Sequence, residues 1–215
     1  NEHYAKAIKT EFSDSYVTER IVQHICLGYL EDLEKLEDKE SLIFQLVGNK
    51  NVNQLLAIVD FFWRLGGKIT YRIKIRTMWK TLYELVKKNH EDTKYQKLIS
   101  KLLKWLSIVD EIDDDIFKWV KFSAKYIDRD LDTSYIVEYL LKHVQKTPAN
   151  VGEIYLEILK SNIYPEYQEK EIKKIVYILY DKKEKKIADR ICNMYGANGF
   201  DFLKYIYLEH KNDKS

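Results

Sequence analysis

Lys68 to Lys88 reads KITYRIKIRTMWKTLYELVKK, and this stretch decides the fold class because it admits two readings. Ile69, Tyr71, Ile73 and Ile75 alternate with Thr70, Arg72 and Lys74, the period-2 pattern of a half-buried strand. Ile75, Trp79, Leu82 and Val86 instead recur one helical turn apart. A strand needs a neighbour to pair its backbone, and an isolated hairpin is marginal in water. No second alternating run lies nearby, so the reading is a helix over 69–88.

Working outward, the helical period continues on both sides. Ser13, Asp14 and Ser15 offer N-caps to a face of Val17, Ile21, Ile25, Leu27 and Leu30. Leu42 to Val47 forms a short helix that stops at Gly48-Asn49. Asn51 or Asn53 opens the next, with Leu55, Leu56, Val59, Phe62 and Trp63 inside. Gly66-Gly67 ends it, as residues tolerant of left-handed backbone do. Downstream, Thr93 to Ile108 carries Leu98, Leu102 and Trp105. Asp113 caps Ile116 to Tyr126, and Asp132 and Thr133 cap Ile136 to Val144. Pro148 and Pro165 sit where helices start and a missing N–H costs nothing. The Pro165 helix buries Ile172, Ile175, Val176 and Leu179. Lys185 to Tyr195 ends at Gly196, and Gly199 separates it from a last helix, Phe200 to His210.

The expected fold is all-α, about eleven or twelve short helices with short loops. Helix pairs of about 35–40 residues fall in the range of HEAT and TPR units. The fold class is a right-handed stack of antiparallel helix pairs, a HEAT/TPR-like α–α superhelix, over one domain spanning 1–215. The alternative is an irregular helical bundle. No repeat signature aligns.

Composition agrees with helix. Seven Gly and two Pro in 215 residues cannot supply the turns of a β-sandwich, nor a collagen or Pro-rich chain. The longest apolar stretch, Leu55 to Trp63, is interrupted by Asp60 and falls far short of the ~20 residues that span a bilayer. Asn1 to Thr10 has no apolar core, so no signal peptide is read there. Cys26 and Cys192 both fall in helical patterns outside any C-x-x-C, which reads as two reduced, buried thiols of a cytoplasmic protein. The polar ends of the chain read as those of a fragment of a longer protein.

The chemistry-bearing residues form no catalytic or metal constellation. His3, His24, His90, His143 and His210 lie in no E-x-x-H or H-E-x-x-H, and there is no P-loop. The acids Asp110, Glu111, Asp113, Asp114 and Asp115 read as a loop and N-cap rather than a Mg²⁺ site. Catalytic and metal residues are therefore expected to be none, with no cofactor and no enzymatic activity.

Charge is segregated instead. The chain has 36 basic and 34 acidic residues, a net of +2 that marks no bulk polyanion binder. Yet Arg64, Lys68, Arg72, Lys74, Arg76 and Lys80 fall between Phe61 and Tyr83 without an intervening acid. Lys68, Arg72, Arg76 and Lys80 step by one helical turn and form a ridge, with Tyr71 and Trp79 close by. Like charges at that spacing cost a few tenths of a kcal/mol each. The ridge is either neutralised by acids of a neighbouring helix or used against an acidic protein surface or a phosphate backbone.

Tyr164-Pro165-Glu166-Tyr167, then Lys185-Lys186-Ile187-Ala188-Asp189-Arg190-Ile191-Cys192-Asn193-Met194-Tyr195-Gly196 and Gly199-Phe200-Asp201-Phe202-Leu203, resembles the C-terminal helical regions of large bacterial multidomain proteins. Those proteins carry a STAND-type NTPase, SIR2-like or other effector module and are often associated with antiphage defence. Phe61-Phe62-Trp63, Ile75-Arg76 and Trp79 are similar in style to their helical arrays. The resemblance implies a helical sensor or scaffold attached to an enzymatic module. The expected function is a non-catalytic protein-interaction domain whose partner is another protein or another domain of the parent chain. Nucleic acid held on the ridge 64–80 is the alternative partner, and no membrane is expected.

Overall fold

The computed structural model describes residues 15–31, 41–128 and 133–211. Among them the protein is all-α, with eleven α-helices, four short 3₁₀ segments and no strand. It divides into two compact units, Asn1–Ile108 and Val109–Ser215. The proposed caps Ser13, Asp14 and Asp132, and Val17's side chain, lie outside the described residues.

In the first unit, α1 is Ser15–Glu31, α2 Leu42–Gly48, α3 Val52–Leu65, α4 Arg72–Lys88 and α5 Gln96–Lys101. Helix α1 packs on α3 and α3 on α5, while α2 contacts α1 and α3, and α4 contacts α5. Asn51 opens α3 as read from sequence: its side chain accepts from the N–H groups of Asn53 (3.1 Å) and Gln54 (3.3 Å). The interior is aromatic. Tyr29 stacks near Phe62 (centroids 6.2 Å), Phe62 on Trp105 (5.8 Å), and Trp79 meets Trp105 edge-on (5.8 Å). The Trp105 indole satisfies its one donor on the Val59 carbonyl at 2.9 Å.

The decisive stretch folds as a 3₁₀ turn, Ile69–Tyr71, running into α4. The alternation resolves into a helix with two faces: Tyr71 and Ile75 go inward, Ile69 and Ile73 outward. Two details differ from the sequence reading. Gly66 has φ −62°, so left-handed backbone is not its reason; a Cβ there would overlap the Ile108 side chain, and close packing demands the glycine. The helix expected to run to Ile108 tightens to 3₁₀ over Leu102–Ser107. That winding stacks residues three apart, and Leu102, Leu103, Trp105 and Leu106 are all fully buried.

In the second unit, α6 is Asp114–Ala124, α7 Thr133–His143, α8 Pro148–Lys160, α9 Glu169–Asp181, α10 Lys185–Ala197 and α11 Lys204–Lys211. Helices α6, α8 and α10 stack in one row and α7, α9 and α11 in a second; α8 touches α7 and α9, and α10 touches α9 and α11. Alternate helices stacked in two rows are how helix pairs build an array. Asp113 caps α6 by accepting from Ile116 N–H at 3.0 Å. Helix α9 is too short to hold itself in water. It buries Ile172, Ile175, Val176 and Leu179 completely, each contributing about 1.5–3 kcal/mol. Helix α10 runs through Gly196, expected as its stop, and ends at Gly199. There φ is +84°, Phe200 N–H reaches Tyr195 O (3.0 Å) and Gly199 N–H reaches Gly196 O (3.1 Å). The Phe200 ring packs edge-on against Tyr195, the apolar contact that accompanies this cap.

Several polar links join positions about one helix pair apart along the chain. In the first unit Glu19–Arg64, Tyr29–Lys74 and Lys50–Tyr95 are each 45 residues apart, and Val59–Trp105 is 46. In the second, Ala124–Ser161, Ile112–Asn150 and Tyr155–Tyr195 are 37, 38 and 40 apart. These are steps of one helix pair. No helix among the described residues is long and apolar enough to cross a membrane.

Two glycines in neighbouring helices of one row have opposite reasons. A Cβ on Gly152 in α8 would overlap the Ile187 Cγ2 of α10, a β-branched side chain with little room to turn. A Cβ on Gly196 meets open space. Gly152→Ala, overpacked by about 1–3 kcal/mol and regaining ~1 in helix propensity, lowers stability. Gly196→Ala raises it by up to about 1 kcal/mol. Urea denaturation of the two variants checks the signs, and shifts in the same direction would refute the packing argument.

Candidate binding surface

The six cations of the 64–80 run do not share one environment. Arg64 lies on α3 and reaches Glu19 of α1 at 3.4 Å, with both side chains about half exposed. Lys74 is completely buried. Its Nζ donates to the Tyr29 carbonyl at 2.6 Å and lies 4.6 Å from the centre of the Tyr29 ring, while the Tyr29 hydroxyl donates to the Lys74 carbonyl at 3.3 Å. Tyr29 O belongs to the last turn of α1, where carbonyls lack helical partners and carry the negative end of the helix dipole. Lys74 thus leaves the surface expected of it and closes α1 from inside.

Trp79, 1% exposed, and Tyr71, 9% exposed, also leave the surface. Trp79 belongs to the aromatic core, and Tyr71 underlies Lys68, whose Nζ sits 5.1 Å from its ring centre. Four cations remain on the outer side. Lys68 and Lys80 are exposed and form no ion pair among the described residues; Arg72 and Arg76 are half-buried and hold further contacts.

Two isoleucines of the period-2 pattern complete this face. Ile69 is 76% and Ile73 58% exposed, one turn apart, lying between Lys68 and Lys80 in sequence. On a helical projection Ile73 points away from the stripe of Ile75, Leu82 and Val86. The signal was available: once 69–88 is helical, Ile73 falls on the wrong side of it. The start of α4 carries no acid in its first turn, although the positive end of the dipole there favours carboxylates over cations. The apolar pair therefore lies in a stretch of cations without an acid from Phe61 to Tyr83.

The other chemistry-bearing groups are dispersed over the fold. His24 is exposed, and His90 Nδ1 lies 2.8 Å from the Lys87 carbonyl. His143 is buried in α7. His210 donates through Nδ1 to Ile206 O (2.9 Å) and stacks flat on Tyr180 at 4.0 Å. Tyr180 donates to Asp189 Oδ1 at 2.8 Å, and burial, then that carboxylate, pushes its hydroxyl far above the usual range. Cys26 and Cys192 are free and buried; burial holds the Cys26 thiol up and pushes Cys192 to about 11, so both stay neutral and poorly nucleophilic near neutral pH. A groove of about 260 Å³ beside Cys192, Gly196, Asp201, Lys204 and Tyr207 is open on one side. Among the described residues no three His, Cys, Asp or Glu side chains converge as a metal site would require.

No protein-family model, curated protein or solved structure matches the chain.

Burial separates Lys74 from the rest of the basic run, and substitution reads that difference. Lys74→Met keeps the packed stem but strips the Tyr29 carbonyl of its donor, and stability falls by about 1–3 kcal/mol. Lys80→Met, exposed on the same helix, stays within about 0.5 kcal/mol of the parent. Equal midpoints in urea would show that Lys74 is a surface cation after all.

Proposed function

We propose that this chain is a helical protein-interaction domain, a sensor or scaffold without catalysis of its own, belonging to a larger bacterial protein. One observation carries this reading. Ile69 in the 3₁₀ turn and Ile73 at the start of α4 stand exposed four residues apart, in a stretch flanked by cations. An apolar centre with a charged rim is the anatomy of a protein-binding patch. A phosphate backbone would instead meet isoleucine where it needs donors, which places nucleic acid second. The rigid support beneath the patch agrees, since α4 is anchored by Met78, Trp79, Leu82 and Val86, all essentially fully buried. The resemblance to the helical regions of STAND-NTPase and SIR2-type proteins supports attachment to an effector module and a role in antiphage-like sensing. The two free, buried thiols support a reducing, cytoplasmic setting.

The test compares the wild-type chain with an Ile69→Asp, Ile73→Asp variant. Each is immobilised and exposed to nuclease-treated bacterial lysate, and each is titrated with RNA and duplex DNA at low salt. Partners retained by the wild type and lost by the variant, with no nucleic-acid binding, are the expected result. Salt-dependent RNA or DNA binding that the isoleucine substitutions leave intact would transfer the face to nucleic acid. Robust hydrolytic turnover abolished by one substitution would end the non-catalytic reading.

A further inference from the structure

We infer that the α4 face takes a particular kind of partner: an amphipathic helix with two apolar side chains one turn apart at its centre and carboxylates towards both ends. This rests on the protein-interaction reading and deepens it by naming the partner's chemistry.

Three observations carry the inference. First, the exposed apolar surface is a pair four residues apart, Ile69 in the 3₁₀ turn and Ile73 in the first turn of α4, which two side chains on a facing helix could meet. Second, Lys68 precedes and Lys80 follows that pair in sequence, both exposed and without a carboxylate partner among the described residues. Third, no acid lies between Phe61 and Tyr83, and the positive end of α4 adds to the same field. The helix dipole disfavours cations at a helix start, and helices accept an outward β-branched isoleucine poorly. An acidic, apolar-centred helix lying across them would cover the isoleucines and pair the exposed lysines. The isoleucines would supply the dry centre and the lysines the rim, steering association and fixing register.

The experiment uses the full chain and a fluorescein-labelled synthetic helical peptide of about 18 residues. It carries two leucines one turn apart at its centre and glutamates towards both ends. One control peptide replaces the glutamates by lysines; another keeps the glutamates and replaces the leucines by serines. Fluorescence anisotropy is expected to show saturable binding of the first peptide, weaker by about tenfold or more for each control. Ile73→Ser weakens it to the same degree while leaving the thermal midpoint unchanged. A Lys68→Glu, Lys80→Glu chain reverses the preference and takes the lysine peptide over the glutamate one. That reversal is a gain, so loss of fold cannot imitate it.

Absence of saturable binding overturns the inference, as does equal binding of the serine control, which would reduce the effect to bulk charge. Preferential binding of an oligouridine over every peptide also overturns it. If the peptides fail while the Ile69→Asp, Ile73→Asp variant still loses its retained partners, this inference falls and the protein-interaction reading stands. If those partners are also unaffected, both fall.

Discussion

The ammonium of Lys74 sets the rotation of α4, and the outward face of the first unit follows from it. A cation taken out of water costs several kcal/mol unless it is well partnered. Here it is held at 2.6 Å by the Tyr29 carbonyl and faces the Tyr29 ring, with the tyrosine hydroxyl returning to the Lys74 backbone. With that ammonium seated, each neighbouring residue is turned by a fixed angle about the helix axis. Ile75, Met78, Trp79 and Leu82 fall inside, and Ile73 falls outside. Turning α4 to bury Ile73 would withdraw Lys74 from its carbonyl and Trp79 from the edge of Trp105. The exposed isoleucines are thus a consequence of the best interior arrangement.

The same contact belongs to a series. Glu19 with Arg64, Tyr29 with Lys74, Lys50 with Tyr95 and Val59 with Trp105 are 45 or 46 residues apart, and three links of the second unit are 37 to 40 apart. This regularity is hidden in the sequence for a physical reason. Most of these links join one side chain to one main-chain carbonyl, and every residue carries a carbonyl. Half of each such link therefore has no sequence signature, and no repeated motif need exist for these contacts to recur.

What was legible followed from local physics. Asn51 and Asp113 were readable as caps because a short polar side chain before an apolar run has one obvious task. The buried face of α9 was read correctly down to Ile172, Ile175, Val176 and Leu179, since its period was unbroken. Glycine was less legible. Gly66 was taken as a backbone device and proved to be a packing one against Ile108, and the stop of α10 moved from Gly196 to Gly199. A glycine in sequence shows that a side chain is missing without showing whether the dihedral or a neighbour requires it. The basic run was legible as charge, yet its division into Arg64 on α3, Lys74 inside and Lys68 and Lys80 outside was not.

By itself the sequence determined that 69–88 would be helical, that the chain would be all-α, and where most helices begin. Those outcomes depend on periodicity, capping and the want of turn residues, which act within a few positions of each residue. Only the tertiary structure decided which cation is swallowed, which isoleucines stay in water, and which helix lies against which. A lysine enters the interior only where a carbonyl and an aromatic face wait for it. For Lys74 those are supplied by Tyr29, 45 residues earlier in the chain.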